Sequence, residues 1–133
     1  MKKILIVEDD TSIIAILSVR LKAAGFEVFT ALDGLSGLRL ATQHLPDLIL
    51  MDIWMPVGIG FSVAERLKSL ELGHIPIVYM TASKSKVLKK RAKQMGAAAF
   101  IEKPYTFEQM YALVTQILGQ PEQAPPSASS EAA

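Results

Sequence analysis

Short apolar runs alternate along the chain with longer stretches in which apolar residues recur at helical spacing, and the alternation repeats five times. The short runs predict strands at 3–7, 27–30, 48–51, 76–80 and 98–101, and the longer stretches predict helices near 11–24, 34–44, 60–71, 85–94 and 106–118. Strands alternating with helices in this way build βαβ units on a parallel sheet. The third run, Leu48-Ile49-Leu50-Met51, and the fourth, Ile77-Val78-Tyr79-Met80, are almost wholly apolar, as strands covered on both faces should be, so they belong in the middle of the sheet. Gly25, Gly73 and Gly96 stand where the first, third and fourth helices should end in left-handed caps. Pro46, Pro56, Pro76 and Pro104 all fall between elements, where a missing amide donor costs least. From Gly119 onward Pro, Gln, Ser and Ala replace the apolar period, which predicts a single domain over 1–119 and a disordered tail over 120–133.

Right-handed crossovers leave two common arrangements for five such units, a nucleotide-binding order and the flavodoxin-like order 2-1-3-4-5. The end of the first strand decides between them. Glu8-Asp9-Asp10 stands where a nucleotide-binding fold would carry a glycine-rich phosphate loop, and an acidic lip favours a divalent cation over a pyrophosphate. The expected fold is therefore a flavodoxin-like (βα)5 three-layer sandwich.

Composition narrows the chemistry. Half of the 133 residues are hydrophobic, enough for one well-buried core. The absence of cysteine removes disulfides, thiolate metal sites and cysteine nucleophiles. A net charge of +1 gives no global attraction to nucleic acid. The Ile- and Leu-rich stretch at residues 11–19 is about half the ~20 residues needed to span a bilayer, so a cytoplasmic protein is expected.

Five chemically apt side chains fall at the predicted carboxyl ends of four strands: Glu8 and Asp9 after the first, Asp52 after the third, Thr81 after the fourth and Lys103 after the fifth. Open parallel sheets bind ligands in the crevice outside those ends. A few hard oxygen ligands suit Mg²⁺, which keeps several waters and takes one or two carboxylates beside a phosphate. An ionised carboxylate can accept a phosphoryl group, a lysine can pair with the carboxylate beforehand and a phosphoryl oxygen afterwards, and a threonine hydroxyl supplies a donor. Each residue alone has a plainer reading as a helix cap, a dipole partner or a solvated charge. A carboxylate closing a buried central strand, however, needs a reason, and joint placement on four strands favours phosphoryl transfer onto the protein itself.

With these residues in view, the chain resembles the receiver domain of two-component response regulators. Ile4 through Asp10, Leu48 through Pro56, Met80-Thr81-Ala82 and Gly96-Ala97 through Lys103-Pro104 are similar to its four blocks in order and spacing, over residues 2 to about 119. The resemblance implies that Asp52 is the phosphoacceptor and that Asp9 and Asp52 bind Mg²⁺ with the backbone carbonyl of Trp54, while Glu8 holds a metal-bound water. It also implies that Thr81 and Lys103 contact the phosphoryl group and that Phe100 is the aromatic switch. The phosphoryl donor would be a sensor histidine kinase or a histidine phosphotransfer protein. The protein would be a signalling switch, not an enzyme, although it would assist its own phosphorylation and dephosphorylation.

Several positions depart from the family pattern. Ile59 replaces a common Asp, and Trp54 stands where a bulky side chain would border the path of attacking water. Lys84, Lys86, Lys89, Lys90, Arg91 and Lys93 crowd the fourth helix with no acidic residue between Ala82 and Ala99. In the family the fourth helix, fifth strand and fifth helix form the output surface. A basic and apolar version of it predicts an acidic protein partner, and a monomer or weak dimer because the mixed charges used for family dimers are missing. No aromatic residues are interleaved with the lysines to stack bases, which argues against nucleic acid. The whole is read as a single-domain regulator acting by protein contact. The alternatives are a receiver cut from a longer regulator and a phosphorylation-independent adaptor.

Overall fold

The computed structural model describes residues 1–53, 59–82 and 84–121, with the backbone alone for residues 59–61. Trp54 and most of the predicted tail, residues 122–133, lie outside the described residues. Strands β1 (Lys3–Val7), β2 (Glu27–Ala31), β3 (Leu48–Asp52), β4 (Ile77–Thr81) and β5 (Ala99–Glu102) alternate with helices α1 (Thr11–Ala23), α2 (Gly34–His44), α3 (Ile59–Ser69), α4 (Lys86–Gln94) and α5 (Phe107–Leu118). All strand pairs are parallel and the sheet order is β2-β1-β3-β4-β5, the flavodoxin-like order that the sequence predicts.

Strand side chains alternate between two helical layers, because successive residues of a strand point to opposite faces. Ile4, Ile6, Leu48, Leu50, Val78 and Met80 pack with Leu17 and Leu21 of α1 and with Met110 and Val114 of α5. Leu5, Val7, Ile49, Met51 and Tyr79 pack on the other face with Leu38 of α2, Leu67 of α3 and Ala92 of α4. Burying each large aliphatic side chain contributes about 1.5–3 kcal/mol, and every residue of β3 is buried. The middle strand is thus a rigid base for whatever stands at its end. At Gly37 of α2 a Cβ would come within 2.7 Å of Val7 Cγ2, so the helix lies on β1 as closely as it does because no side chain intervenes.

Local signals place the ends. The Asp10 carboxylate caps α1 by accepting from the N–H groups of Ser12 and Ile13, Asp33 caps α2, Ser85 caps α4, and Thr106 with Gln109 forms a reciprocal capping box on α5. Gly25 and Gly96 have the positive φ expected of helix ends. Gly73 does not: α3 ends at Ser69 and the left-handed residue is Glu71, with φ 63°. The strands reach one residue further than predicted at β2, β3, β4 and β5. Asp52 and Thr81 are the last residues of their strands instead of the first residues after them, since Ile53 N–H bonds to Met80 O at 3.0 Å and Lys103 N–H to Thr81 O at 2.7 Å.

Candidate functional site

Register brings the predicted residues to one edge of the sheet. Val7 pairs with Met51, Asp52 with Met80 and Thr81 with Glu102, so Glu8, Asp52, Thr81 and Lys103 leave the carboxyl ends of four strands at nearly the same height. Glu8, Asp9 and Asp52 each offer an oxygen, and these oxygens lie within 4.8 Å of one another. Glu8 is 2% exposed and Asp52 8%, while Asp9 is exposed. One carboxylate therefore opens the cluster to solvent and two are held in the protein.

Lys103 supplies the nearby positive charge. Its Nζ donates to Glu8 Oε1 at 2.7 Å and lies 3.5 Å from Asp52 Oδ1. The sequence places this ammonium near the phosphoacceptor position; the structure shows that its short, charge-assisted bond is to Glu8 instead. The other Glu8 oxygen accepts from the N–H of Asp10 at 3.1 Å. Burial pushes the Glu8 carboxyl above the ordinary glutamate range, and the charge of Asp52 adds to the rise, while Lys103 and the Asp10 N–H oppose it.

Three carboxylates against one ammonium leave a surplus of negative charge where two of the acids have little access to water. Uncompensated buried charge is costly, so this arrangement favours a divalent cation. Its donors are all hard oxygens at the mouth of a sheet, the set that Mg²⁺ takes alongside water and phosphate. The residues present fit that ion. A cavity of about 270 Å³ lined by Glu8, Asp9, Asp33, Met51 and Asp52 gives access from the β2–α2 side.

Thr81 is buried, 1% exposed, at the end of β4 beside Asp52. Phe100 is half-buried on β5 and packs against the core beneath α4, with Lys89 Nζ 5.9 Å from its ring centroid. Trp54, expected to lend a carbonyl to the metal, is outside the described residues.

Tyr105 escapes the sequence reading. Its hydroxyl donates to Met80 Sδ at 3.6 Å, and burial first, then the charges of Glu8 and Asp52, pushes its phenol up to about 12. Together with Ile13, Leu17, Lys103 and Phe107 it lines an apolar cavity of about 510 Å³ beside the acidic cluster. The available signal was its place two residues beyond Lys103, but a tyrosine between a strand and a helix has many ordinary uses.

Comparison with known proteins agrees with this geometry. Residues 4–115 match the response regulator receiver domain. The chain is 36% identical over 129 residues to the DNA-binding dual master transcriptional regulator RpaA of Synechocystis, covering 96% of this chain and 54% of that protein. It is 37% identical over 119 residues to the polar-differentiation response regulator DivK of Brucella anthropi, covering 89% and 97% respectively. Among solved structures, the chemotaxis protein CheY4 of Vibrio cholerae superposes with a TM-score of 0.81 at 32% identity, over 88% of this chain and 98% of that one. The chain spans about half the length of RpaA and of the Bacillus subtilis regulator PhoP, at 54% and 52%. By its strand order, its acidic edge and these matches, the chain belongs to the response regulator receiver domain family, signalling domains of two-component systems that bind Mg²⁺ at an acidic pocket and interact with histidine kinases or phosphotransfer proteins and downstream targets.

Proposed function

We propose that this chain is a phosphorylation-activated switch in which Asp52 takes a phosphoryl group from the phosphohistidine of a sensor kinase or phosphotransfer protein. The observation that carries this reading is the surplus of buried carboxylate around Asp52 at the end of the central strand, with Lys103 3.5 Å away. An Asp52 carboxylate oxygen attacks phosphorus as the bond from phosphorus to the donor imidazole nitrogen breaks, and the electron pair of that bond leaves with the imidazole. Asp9 and Asp52, with the carbonyl of Trp54, would hold Mg²⁺, which would supply charge neutralisation for the in-line transfer. Glu8 is the partner of Lys103 at rest and would orient a water on that ion. Lys103, already within 3.5 Å of the acceptor oxygen, shifts its bond from Glu8 to a phosphoryl oxygen.

The phosphoryl group brings about two negative charges and strong acceptor oxygens. Thr81, one residue beyond the register partner of Asp52, donates its hydroxyl to one of them. The move biases Phe100, half-buried under α4, toward the interior and so alters the surface formed by α4, β5 and α5, through which the chain contacts its target. Activity is a shift of population between two arrangements, not turnover of a metabolite.

Incubation with acetyl phosphate and Mg²⁺, read by intact-protein mass spectrometry, tests the site. One phosphoryl group per chain is expected in the wild type and none in Asp52→Asn. Stoichiometric labelling of Asp52→Asn would remove the assignment, and an unlabelled wild type with intact partner binding would favour a constitutive adaptor.

A further inference from the structure

The apolar cavity next to the acidic cluster takes its walls from three parts of the chain: Ile13 and Ile16 of α1, Ala82 just past β4, and Tyr105 and Phe107 at the start of α5. Its volume of about 510 Å³ is in the range that takes a whole small molecule. Among the described residues, the charged side chains on its walls are Arg20 and Lys103, both cations. The Arg20 guanidinium lies 4.4 Å from the centroid of the Phe107 ring, which adds a flat cationic face to the aromatic wall. Its nearest acid, Glu108, is 3.9 Å away and 80% exposed, a pair that water screens.

Two residues tie this cavity to the phosphoryl site. Lys103 reaches from its wall to Glu8 Oε1 at 2.7 Å and to within 3.5 Å of Asp52 Oδ1. Ala82 directly follows Thr81, the hydroxyl donor of the proposed switch. A phosphoryl group held between Thr81 and Lys103 therefore has apolar space beside it, and a group leaving phosphorus on this side has cations to meet its charge.

That space discriminates among small phosphoryl donors. An alkyl phosphate would leave as an alkoxide and need a proton at once. An acyl phosphate leaves as a carboxylate, already the kind of anion that Arg20 and Lys103 attract. Acetyl phosphate offers the cavity one methyl group and leaves most of it to water. An aromatic acyl group would instead meet Ile13 and Ile16 on one side and Tyr105 and Phe107 on the other, where apolar contact and ring stacking both favour it.

We infer that the cavity between α1 and the start of α5 holds the leaving group of a small phosphoryl donor, and that the donor class it selects is an acyl phosphate with an apolar, aromatic acyl group. The inference rests on the proposed function for the acceptor and adds the class of small molecule that serves it. A carboxylate oxygen of Asp52 attacks phosphorus, the bond from phosphorus to the bridging oxygen breaks, and its electron pair leaves on the carboxylate of the acyl group. No proton is transferred.

The test compares benzoyl phosphate with acetyl phosphate, whose leaving carboxylates are similar in basicity, each far below saturation and with Mg²⁺ present. Intact-protein mass spectrometry gives the initial rate and separates a phosphoryl adduct from an acyl one. Benzoyl phosphate is expected to phosphorylate the wild type about tenfold faster or more. Joint Ile13→Asn and Ile16→Asn should bring the two donors within about threefold of each other, with the acetyl phosphate rate within about twofold of wild type. Ile16 is 64% exposed, so its replacement does not reach the core. Phenacylphosphonate, in which a methylene replaces the bridging oxygen, cannot react. Without Mg²⁺ it should shift the NMR amide signals of Ile13, Ile16 and Phe107 in the wild type, a readout that stands even where the double variant fails to fold. Wild-type rates within about threefold for the two donors, a preference that survives in the folded double variant, an acyl adduct, or the absence of those shifts would each overturn the inference, while labelling by acetyl phosphate upholds Asp52 as acceptor. A wild type that neither donor labels would overturn the proposed function and this inference with it.

Discussion

At the carboxyl edge of the sheet, Glu8 and Asp52 hold charge at 2% and 8% exposure and share Lys103, whose own side chain is 15% exposed. On α4, Lys86, Lys90 and Lys93 hold charge in open solvent, and among the described residues no acid lies within ion-pairing distance of them. The acidic edge is an energetic liability that the protein compensates in part from within, through Lys103, and that a bound cation would offset further. The basic ridge costs little because water screens it, and for the same reason it is free to meet a partner. The two regions therefore respond to the same kind of substitution with opposite sign.

The largest effect should come from removing the internal compensation. Lys103→Met keeps the length of the side chain but leaves Glu8 and Asp52 without their ammonium, and truncating one side of a buried ion pair costs about 3 kcal/mol. Urea unfolding in Mg²⁺-free buffer at neutral pH should show that loss, and saturating Mg²⁺ should return part of it by mass action on the folded state. A variant as stable as wild type without Mg²⁺ would break the contrast at its strongest point.

The same rule, that burial opposes charge, acts on two phenols. Tyr79, 1% exposed in the core, has its phenol pushed from 10.0 up to about 12 by burial, and Tyr105 rises to about 12 through burial and the nearby acids. The folded chain keeps these protons to higher pH than the unfolded chain does. Their contribution is whole below about pH 10 and is lost as pH rises toward 12, with Tyr79 alone accounting for on the order of 2–3 kcal/mol. Unfolding measured at steps between pH 9 and 12, beside the tyrosinate absorbance of the folded protein, checks both the sign and the window; tyrosinate appearing near pH 10 before any unfolding would contradict it.

Much of the acidic edge was readable beforehand because its chemistry rides on the strand pattern. A run of apolar residues long enough for a strand, closed by Glu8, Asp52, Thr81 or Lys103, says where the side chain will stand once the sheet order is known. What could not be read depends on neighbours distant in sequence. The pairing of Lys103 with Glu8, 95 residues away, is set by side-chain packing, and the last residue of each strand by hydrogen bonds from the adjacent one. Glycine's frequency just past helix ends points to Gly73 as the cap, yet Glu71 adopts the left-handed conformation; at Gly73 a Cβ would instead come 2.9 Å from Lys68 Cγ. The ridge of α4 was visible as a run of lysines, but which of them Glu102 engages was not.

A smaller effect separates charge from chemistry at the acidic edge. Asp52→Asn removes one of three carboxylates whose oxygens lie within 4.8 Å, relieving repulsion while forfeiting the 3.5 Å contact of Lys103 with an anion. The repulsion wins, because Lys103 retains Glu8, and the variant should be more stable than wild type by about 1 kcal/mol without Mg²⁺. With Mg²⁺ the order should reverse, since the variant gives up a ligand and binds the ion about tenfold more weakly or worse. Equal stability gains from Mg²⁺ in both proteins would mean that Asp52 is not a ligand.

The smallest effect belongs to the ridge, and its sign makes it informative. Lys90→Gln removes the charge that lies four residues from Lys86 and three from Lys93, at an exposed position with a residue of similar helix propensity. Relief of those repulsions should raise stability by about 0.3–0.5 kcal/mol at low salt. In 0.5 M NaCl, where the screening length is only about 4 Å, the gain should vanish, while the loss in Lys103→Met should persist because its charges are shielded from the ions. Thermal melts of the two variants at both salt concentrations read the comparison directly. If Lys90→Gln is destabilised at low salt, Lys90 is held by a favourable contact within the chain, and the ridge is a structural element of this protein instead of a surface held open for another.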